Sequence, residues 1–453
     1  MTIAGSLAQL LTRTSFEELP PLAVDHAAML ISSTIASAAL GSGITSSRII
    51  RALAKEQGGT PESSIWFDSG PRIPAPNAAR VNALMSDAAA SDDSDLRGIV
   101  HSGTTVASTS LAIGERTGAG GKEVLAAMVL GYETAGRIGE AITPAWKDLG
   151  FHGSIVAIFG GAVASGRLLR LNEQQMAQAI AIASVSMGGL AVAAETSVAR
   201  EYFAGNAAML GFNAALAAHK GFLAEETVLE ARKGFFDVYG GEDIESVTRD
   251  WGKEWDIITD MAIKLVPGGH PNHALAEAAV NAAREGNVAA DEVETITMAQ
   301  PVGGKIGIKP LRQPTHPKDL IGMAHTPSYF VAAGVADKDF SWIHASEEKI
   351  FDPVIHKLID KIRIGAPLTE NVERFKQGGS VTIRMKDGRS YTSTVYAPRG
   401  SGVRGIDWAD VDHKYRTLVA MAKLDPRKID DSSKVIHGFR DVKNVSELTN
   451  LLQ

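Results

Sequence analysis

Apolar positions recur at helical spacing from the first residues to about residue 260. Ile3, Leu7, Leu10 and Leu11 open the pattern. The i, i+3, i+4 stripe of a helix face then runs through HAAMLISSTIASAAL, GKEVLAAMVLGYETAGRIGEAI and EQQMAQAIAIASVSMGGL. Many of these faces carry only Ala, Gly and Ser, which let helix axes approach closely. Asn172, directly before EQQMAQ, is placed to cap the helix it precedes. The pattern predicts a large packed helical domain.

The period changes after Pro267. VETITMA alternates and is β-branched, and SVTIRMKDGRSYTSTVY (380–396) predicts two strands joined across a Lys386-Asp387-Gly388 turn. Helical stretches are expected between them, around 271–285 and 346–362. From about Asp407, WADVDHKYRTLVAMAKL and SELTNLL return to helical character. The fold class expected is therefore mainly α with an α+β second domain: an all-helical domain over 1–265, completed by 403–453, and a smaller α+β unit over 266–402. Gly-rich connections at Pro267–Gly269 and Pro398–Gly402 bracket that unit and are expected to let it close as a lid. No fixed repeat is visible.

Length and composition narrow the function classes. A chain of 453 residues is long for one core, which favours two domains. Hydrophobic content of 45% against 21% charged residues is globular, and at net charge -7 the Lys and Arg residues are dispersed, so no nucleic-acid partner is expected. The absence of cysteine excludes disulfides, thiolate metal sites and cysteine nucleophiles, and fits a cytoplasmic location. The N-terminus lacks the basic start and apolar run of a signal peptide. No run of consecutive apolar residues approaches the ~18–20 of a membrane span. Ile155–Ala164 is shorter, contains two glycines and reads as a buried helix. Phosphate loops, HExxH and a dinucleotide fingerprint are all missing.

Three segments carry the candidate chemistry. SDDSDLRGIVHSGTTVAS ends with His101 at the head of an apolar helix. GFHGSIVAIFGGAVASG places His152 at a Gly-flanked helix start. IKLVPGGHPNHALAEA gathers Lys264, His270 and His273 around a Pro-Gly-Gly turn. The positive end of a helix dipole disfavours a protonated imidazole or amine, and a neutral one suits proton abstraction from carbon. A lone histidine before a helix is also a common cap or core residue, and both readings stand on the residues alone. The run Ser91–Asp95 lacks the glycine and glutamate of a calcium loop; it reads as a solvated turn or as a loop lining a site. Tyr132 and Arg137 read as structural, and Tyr329 as a core tyrosine.

DDSDLRGIVHSG, GYETAGRIG, GFHGSIVAIFGGAVASGRLL, REYFAGNAAMLG and KLVPGGHPNHA follow one another in an order and spacing that resemble the MmgE/PrpD family over about residues 25–400. That family includes 2-methylcitrate dehydratase, cis-aconitate decarboxylase and iminodisuccinate epimerase. The resemblance implies a homodimer with a helical domain and an α+β lid, no metal and no organic cofactor, acting on small di- or tricarboxylic acids beside a carboxylate. It matches His101, His152 and Lys264 to catalytic positions. Arg200, Tyr202, Asp93, His270 and His273 fall at positions implied to bind substrate. The family's His-Ala-Leu-Asp-Phe-Asp-Asp-Thr-His reads Asp87-Ala88-Ala89-Ala90-Ser91-Asp92-Asp93-Ser94-Asp95 here, so Ala90 replaces an aspartate. The decarboxylase histidine two residues after the lid proline is Gly269. Both departures argue against cis-aconitate decarboxylation. The expectation is a cofactor-independent hydro-lyase of the 2-methylcitrate dehydratase type. The alternatives are an epimerase of an (imino)dicarboxylate and, because of Ala90, an inactive helical family member.

Overall fold

Helices begin where the sequence supplies a cap or a proline. Pro21 opens Pro21–Gly41 at N1, where its missing N–H costs nothing. Asn172 accepts the backbone N–H of Gln175, whose side chain accepts the N–H of Asn172 in return, closing a capping box on Glu173–Ser184. That helix stops at Ser184, short of the Leu190 that the apolar pattern reached, before the Gly188-Gly189 pair. In this computed structural model residues 1–98, 100–186, 188–197, 199–302, 310–371 and 377–453 are described. They form two compact units, Met1–Ile263 with Ile406–Gln453, and Lys264–Gly405.

The first unit is a packed set of helices, chiefly Pro21–Gly41, Ala75–Ala88, Ser102–Thr117, Gly121–Ile142, Ser154–Leu168 and Ala199–His219. The small residues set how close they lie. A Cβ on Gly131 would stand 2.7 Å from the Gly160 carbonyl, and one on Gly211 would stand 2.5 Å from that of Ile158. Helix backbones thus touch directly, as the Ala/Gly faces implied. Trp408–Met421 returns from the far end of the chain to pack on Pro21–Gly41. By length and composition Pro21–Gly41 is apolar enough to cross a membrane, but 89% of its most apolar window is buried inside the unit, so its apolarity fills a core.

The helical expectation fails between residues 220 and 255. That stretch holds only Phe235–Tyr239 and a 3-10 turn at Ile244–Val247. Gly221, Gly240 and Gly252 adopt positive φ there, as do Lys233 and Asp250, and each reverses the chain before a helix gains length.

The second unit carries a four-stranded sheet in the order Ile362–Ile364, Val293–Ala299, Gly379–Met385, Ser390–Val395. The first pair is parallel and the others antiparallel. The expected hairpin is present, with Gly388 at positive φ in its turn. His273–Glu285 lies against the sheet so closely that a Cβ on Gly379 would stand 2.7 Å from the Leu275 nitrogen. Pro327–Asp337 packs on that helix, and Tyr329 is a core residue whose hydroxyl donates to the His344 carbonyl.

Candidate active site

The Ser91–Asp95 run is not a solvated turn. All five residues are buried in the first unit. Burying carboxylates demands compensating donors and charge, and each donor comes from elsewhere in the chain. The Gly103 N–H at the start of Ser102–Thr117 donates to Asp93 Oδ2 at 3.1 Å, and the Tyr132 hydroxyl reaches the same oxygen at 3.4 Å. Asp93 thereby does what an N-cap does, from ten residues upstream. Only glycine fits at 103, because a Cβ there would lie 2.4 Å from both Asp93 carboxylate oxygens. Burial and the neighbouring charge of Asp92 push the Asp93 carboxyl up to about 6. Lys414, itself buried on Trp408–Met421, donates to the Ser91 carbonyl at 2.5 Å and to Ser33 Oγ at 2.8 Å, placing an ammonium beneath the acidic loop.

His101 is the N-cap residue of Ser102–Thr117, but its side chain does not cap the helix. Its Nδ1 lies 2.8 Å from Asp92 Oδ2 and 2.8 Å from the Asp93 carbonyl oxygen. These two close neighbours only accept, and the Ser94 hydroxyl, farther off at 3.5 Å, can accept as well, so Nδ1 carries a proton and a neutral ring keeps its lone pair on Nε2. His152, just ahead of Ser154–Leu168, is held the opposite way. Its Nδ1 accepts the Ser154 N–H at 3.3 Å and lies 2.8 Å from Ser154 Oγ, which leaves the ring proton on Nε2. Burial drives His152 down to about 3, and the positive charges of His101 and Arg200 act in the same direction. Desolvation and like charge therefore keep it neutral, rather than the helix dipole that the sequence implied. The expected ¹⁵N spectrum has His152 as the Nε2–H tautomer across pH 5–9 and His101 with its proton on Nδ1. A His152 signal that titrates in that range would count against this assignment.

Arg200, near the start of Ala199–His219, is also inside the unit. Its Nε donates to Asp87 Oδ2 at 2.9 Å and its Nη2 to the Asp87 carbonyl at 2.5 Å. One edge of the fork assigned to a substrate carboxylate is thus already held by protein. Asp87, Asp92 and His101 each bring one ligand atom within 4.8 Å of the others. That geometry resembles a metal site, but its charge does not. Asp87 is paired to a guanidinium, and His101 turns its N–H toward Asp92, so a dication would face a fixed cation and a proton.

His101, His152 and Arg200 are therefore gathered in one cluster with Asp87 and Asp92. Tyr202, two residues beyond Arg200, keeps 45% of its surface exposed. Lys264, His270 and His273 belong to the second unit and are all buried there. The rings of His270 and His273 lie 4.7 Å apart, and His273 Nε2 is 3.3 Å from the Gly268 carbonyl oxygen. The sequence reading passed over Asp87 and Lys414. Their one local signal is a charge alone among small and apolar helical neighbours, in RVNALMSDAAA and in VDHKYRTLVAM.

Residues 5–246 match the MmgE/PrpD N-terminal domain and residues 267–432 the MmgE/PrpD C-terminal domain. The chain is 23% identical to the cis-aconitate decarboxylase of Homo sapiens, covering 100% of this chain and 95% of that protein. It is 26% identical to the cis-aconitate decarboxylase of Aspergillus terreus, covering 96% and 93%. A cis-aconitate decarboxylase-like protein of Aspergillus oryzae is 24% identical over 83% of this chain and 82% of its own length.

Proposed function

Because the chain belongs to the MmgE/PrpD family, we propose that it is a lyase acting on a small tricarboxylic acid, with proton transfer beside a carboxylate and no metal or organic cofactor. One observation carries this reading: two imidazoles of one cluster are fixed in opposite tautomers, His101 with its lone pair on Nε2 and His152 with a proton there. The first is a base and the second a neutral hydrogen-bond donor, a pairing that suits proton removal from carbon.

In the elimination reading, His101 Nε2 takes the proton beside the carboxylate. The freed electron pair forms the double bond as the carbon–oxygen bond breaks. The proton now on His101, stabilised by Asp92, passes to the departing hydroxyl, which leaves as water. His152 donates to the charge that develops, without becoming cationic itself. The names of the relatives favour a second reading, decarboxylation of cis-aconitate. There the carbon–carboxylate bond breaks, the electron pair stays on carbon, and a protonated His101 delivers the proton. Ala90 in place of the family aspartate and Gly269 in place of the decarboxylase histidine argue against decarboxylation of cis-aconitate and leave the exact substrate open.

The two readings need opposite starting states of one ring. Purified protein is incubated with 2-methylcitrate, citrate and cis-aconitate in deuterated water, with the products followed by NMR. Elimination is expected to yield an alkene without loss of carbon dioxide, at a rate that rises as His101 loses its proton. Carbon dioxide release, falling over the same pH range, establishes the second reading instead. A deuterated stereoisomer without alkene means epimerisation. Failure of every substrate to react or exchange, in enzyme that is folded, rejects the lyase altogether.

A further inference from the structure

Arg80, on Ala75–Ala88, pairs with no acid among the described residues. The residue is only 9% exposed, and its buried Nε has no hydrogen-bond partner. Among the described residues no carboxylate stands in ion-pair range of it. Its guanidinium instead lies over Tyr202, whose ring centroid is 4.9 Å from the guanidinium carbon. The nearest acid in sequence to that ring, Glu201, is turned to Ser46 instead. The part-buried arginines of this unit have partners: Arg97 holds Asp260, Arg137 holds Glu133, Arg200 holds Asp87, and Arg167 donates to the Leu11, Thr12 and Thr14 carbonyls.

The position is built, not incidental. Gly205 lets the two helices close, since a Cβ there would stand 2.9 Å from the Arg80 carbonyl and 3.2 Å from its Cγ. The aliphatic stem is thus clamped against Ala199–His219, and the guanidinium is delivered to the ring of Tyr202, two residues from Arg200. A guanidinium on an aromatic face keeps its in-plane N–H groups for a planar anion, which it binds with two parallel hydrogen bonds. A desolvated, unpaired cation held in this way is costly to the folded protein, and a bound anion removes that cost.

We propose that Arg80 and Tyr202 form a carboxylate-binding subsite that holds a terminal carboxylate of the substrate and so selects polycarboxylic over monocarboxylic acids. This rests on the polycarboxylate reading above.

The test is calorimetric titration of the intact protein with tricarballylate, an unreactive tricarboxylate, and with glutarate, alongside thermal unfolding without ligand. Arg80→Met is expected to weaken tricarballylate about ten- to a hundredfold, the usual loss for a charged hydrogen-bonded pair. Glutarate should weaken less, and Arg80→Lys should fall between, keeping the charge but not the fork. The unliganded Arg80→Met protein should melt at or above the wild-type temperature, because an unpaired buried charge has been removed. A lowered melting temperature with unchanged tricarballylate affinity makes Arg80 structural and overturns the proposal. Unchanged affinity with a shifted oligomeric state assigns Arg80 to a partner's acid and also overturns it. If the wild type binds neither probe, the polycarboxylate reading fails before the variants are compared.

Discussion

His101→Asn is expected to lower turnover, and carbon-bound deuterium exchange with it, by about 10²–10⁴-fold, the usual contribution of a positioned general base. The asparagine amide still donates to Asp92 and the Asp93 carbonyl but offers no basic nitrogen at the position of Nε2. Asp92→Asn should cost less, because the Asp93 carbonyl still lies 2.8 Å from Nδ1 and keeps the proton there. That backbone contact separates this dyad from one in which a carboxylate alone sets the tautomer. The double variant should be no slower than His101→Asn, since both changes act through one proton. Steady-state rates on whichever substrate reacts, with circular dichroism to confirm folding, test this. A His101→Asn enzyme within threefold of wild type would remove the base from the scheme.

The parts of this site that were legible in the sequence share a physical character. His101 and His152 each sit at a helix start marked by glycine or serine, and helix starts are local signals. The strand hairpin and the Asn172 cap were legible for the same reason. What escaped depends on partners far away in the chain. The Ser91–Asp95 run reads equally as a solvated turn or as a loop lining a site because nothing near it offsets its charge; Lys414 is 323 residues beyond Ser91, and the Asp87–Arg200 pair spans 113. Ile362–Ile364 is too short for any period and becomes a strand only by pairing with Val293–Ala299. Residues 220–255 mislead the other way, since apolar side chains there occupy short turns rather than one long face. Arg200 shows the limit of motif reading most clearly. Its position was recognisable, but its carboxylate partner proved to be a residue of the protein.

The acidic loop ends in a second charged cluster, and Arg97→Met there should give the largest loss of stability. Arg97 Nε donates to Asp260 at 2.6 Å and lies 3.2 Å from Asp256, while its Nη1 pairs with Glu140. Its backbone N–H donates to Asp95 at 2.8 Å. Burial raises the carboxyls of both Asp95 and Asp256, Asp256 well above its ordinary range, where the charge of Asp95 adds to the effect. A Cβ on Gly136 would lie 2.1 Å from Asp256 Oδ2, so the acid cannot move toward that helix to reach solvent. Removing the cation leaves these acids without their counter-charge, a change that typically costs about 3–5 kcal/mol and here corresponds to a midpoint lowered by roughly 5–8 °C. The sign of the pH dependence follows from linkage. Carboxyls raised in the folded state bind more protons there than when unfolded, so stability falls as pH rises through the interval between their two values. Loss of Arg97 raises them further. The deficit of Arg97→Met should therefore grow from pH 5 to pH 8 and shrink in acid, where the carboxyls are neutral in both proteins. Turnover should fall too, because Ser94 and Asp95 pair with Met261 and Ala262 at this point and anchor the loop that orients His101. Thermal unfolding of both proteins at the two pH values decides the matter; a midpoint shift below about 2 °C, or one independent of pH, means that solvent or neighbouring groups replace the arginine.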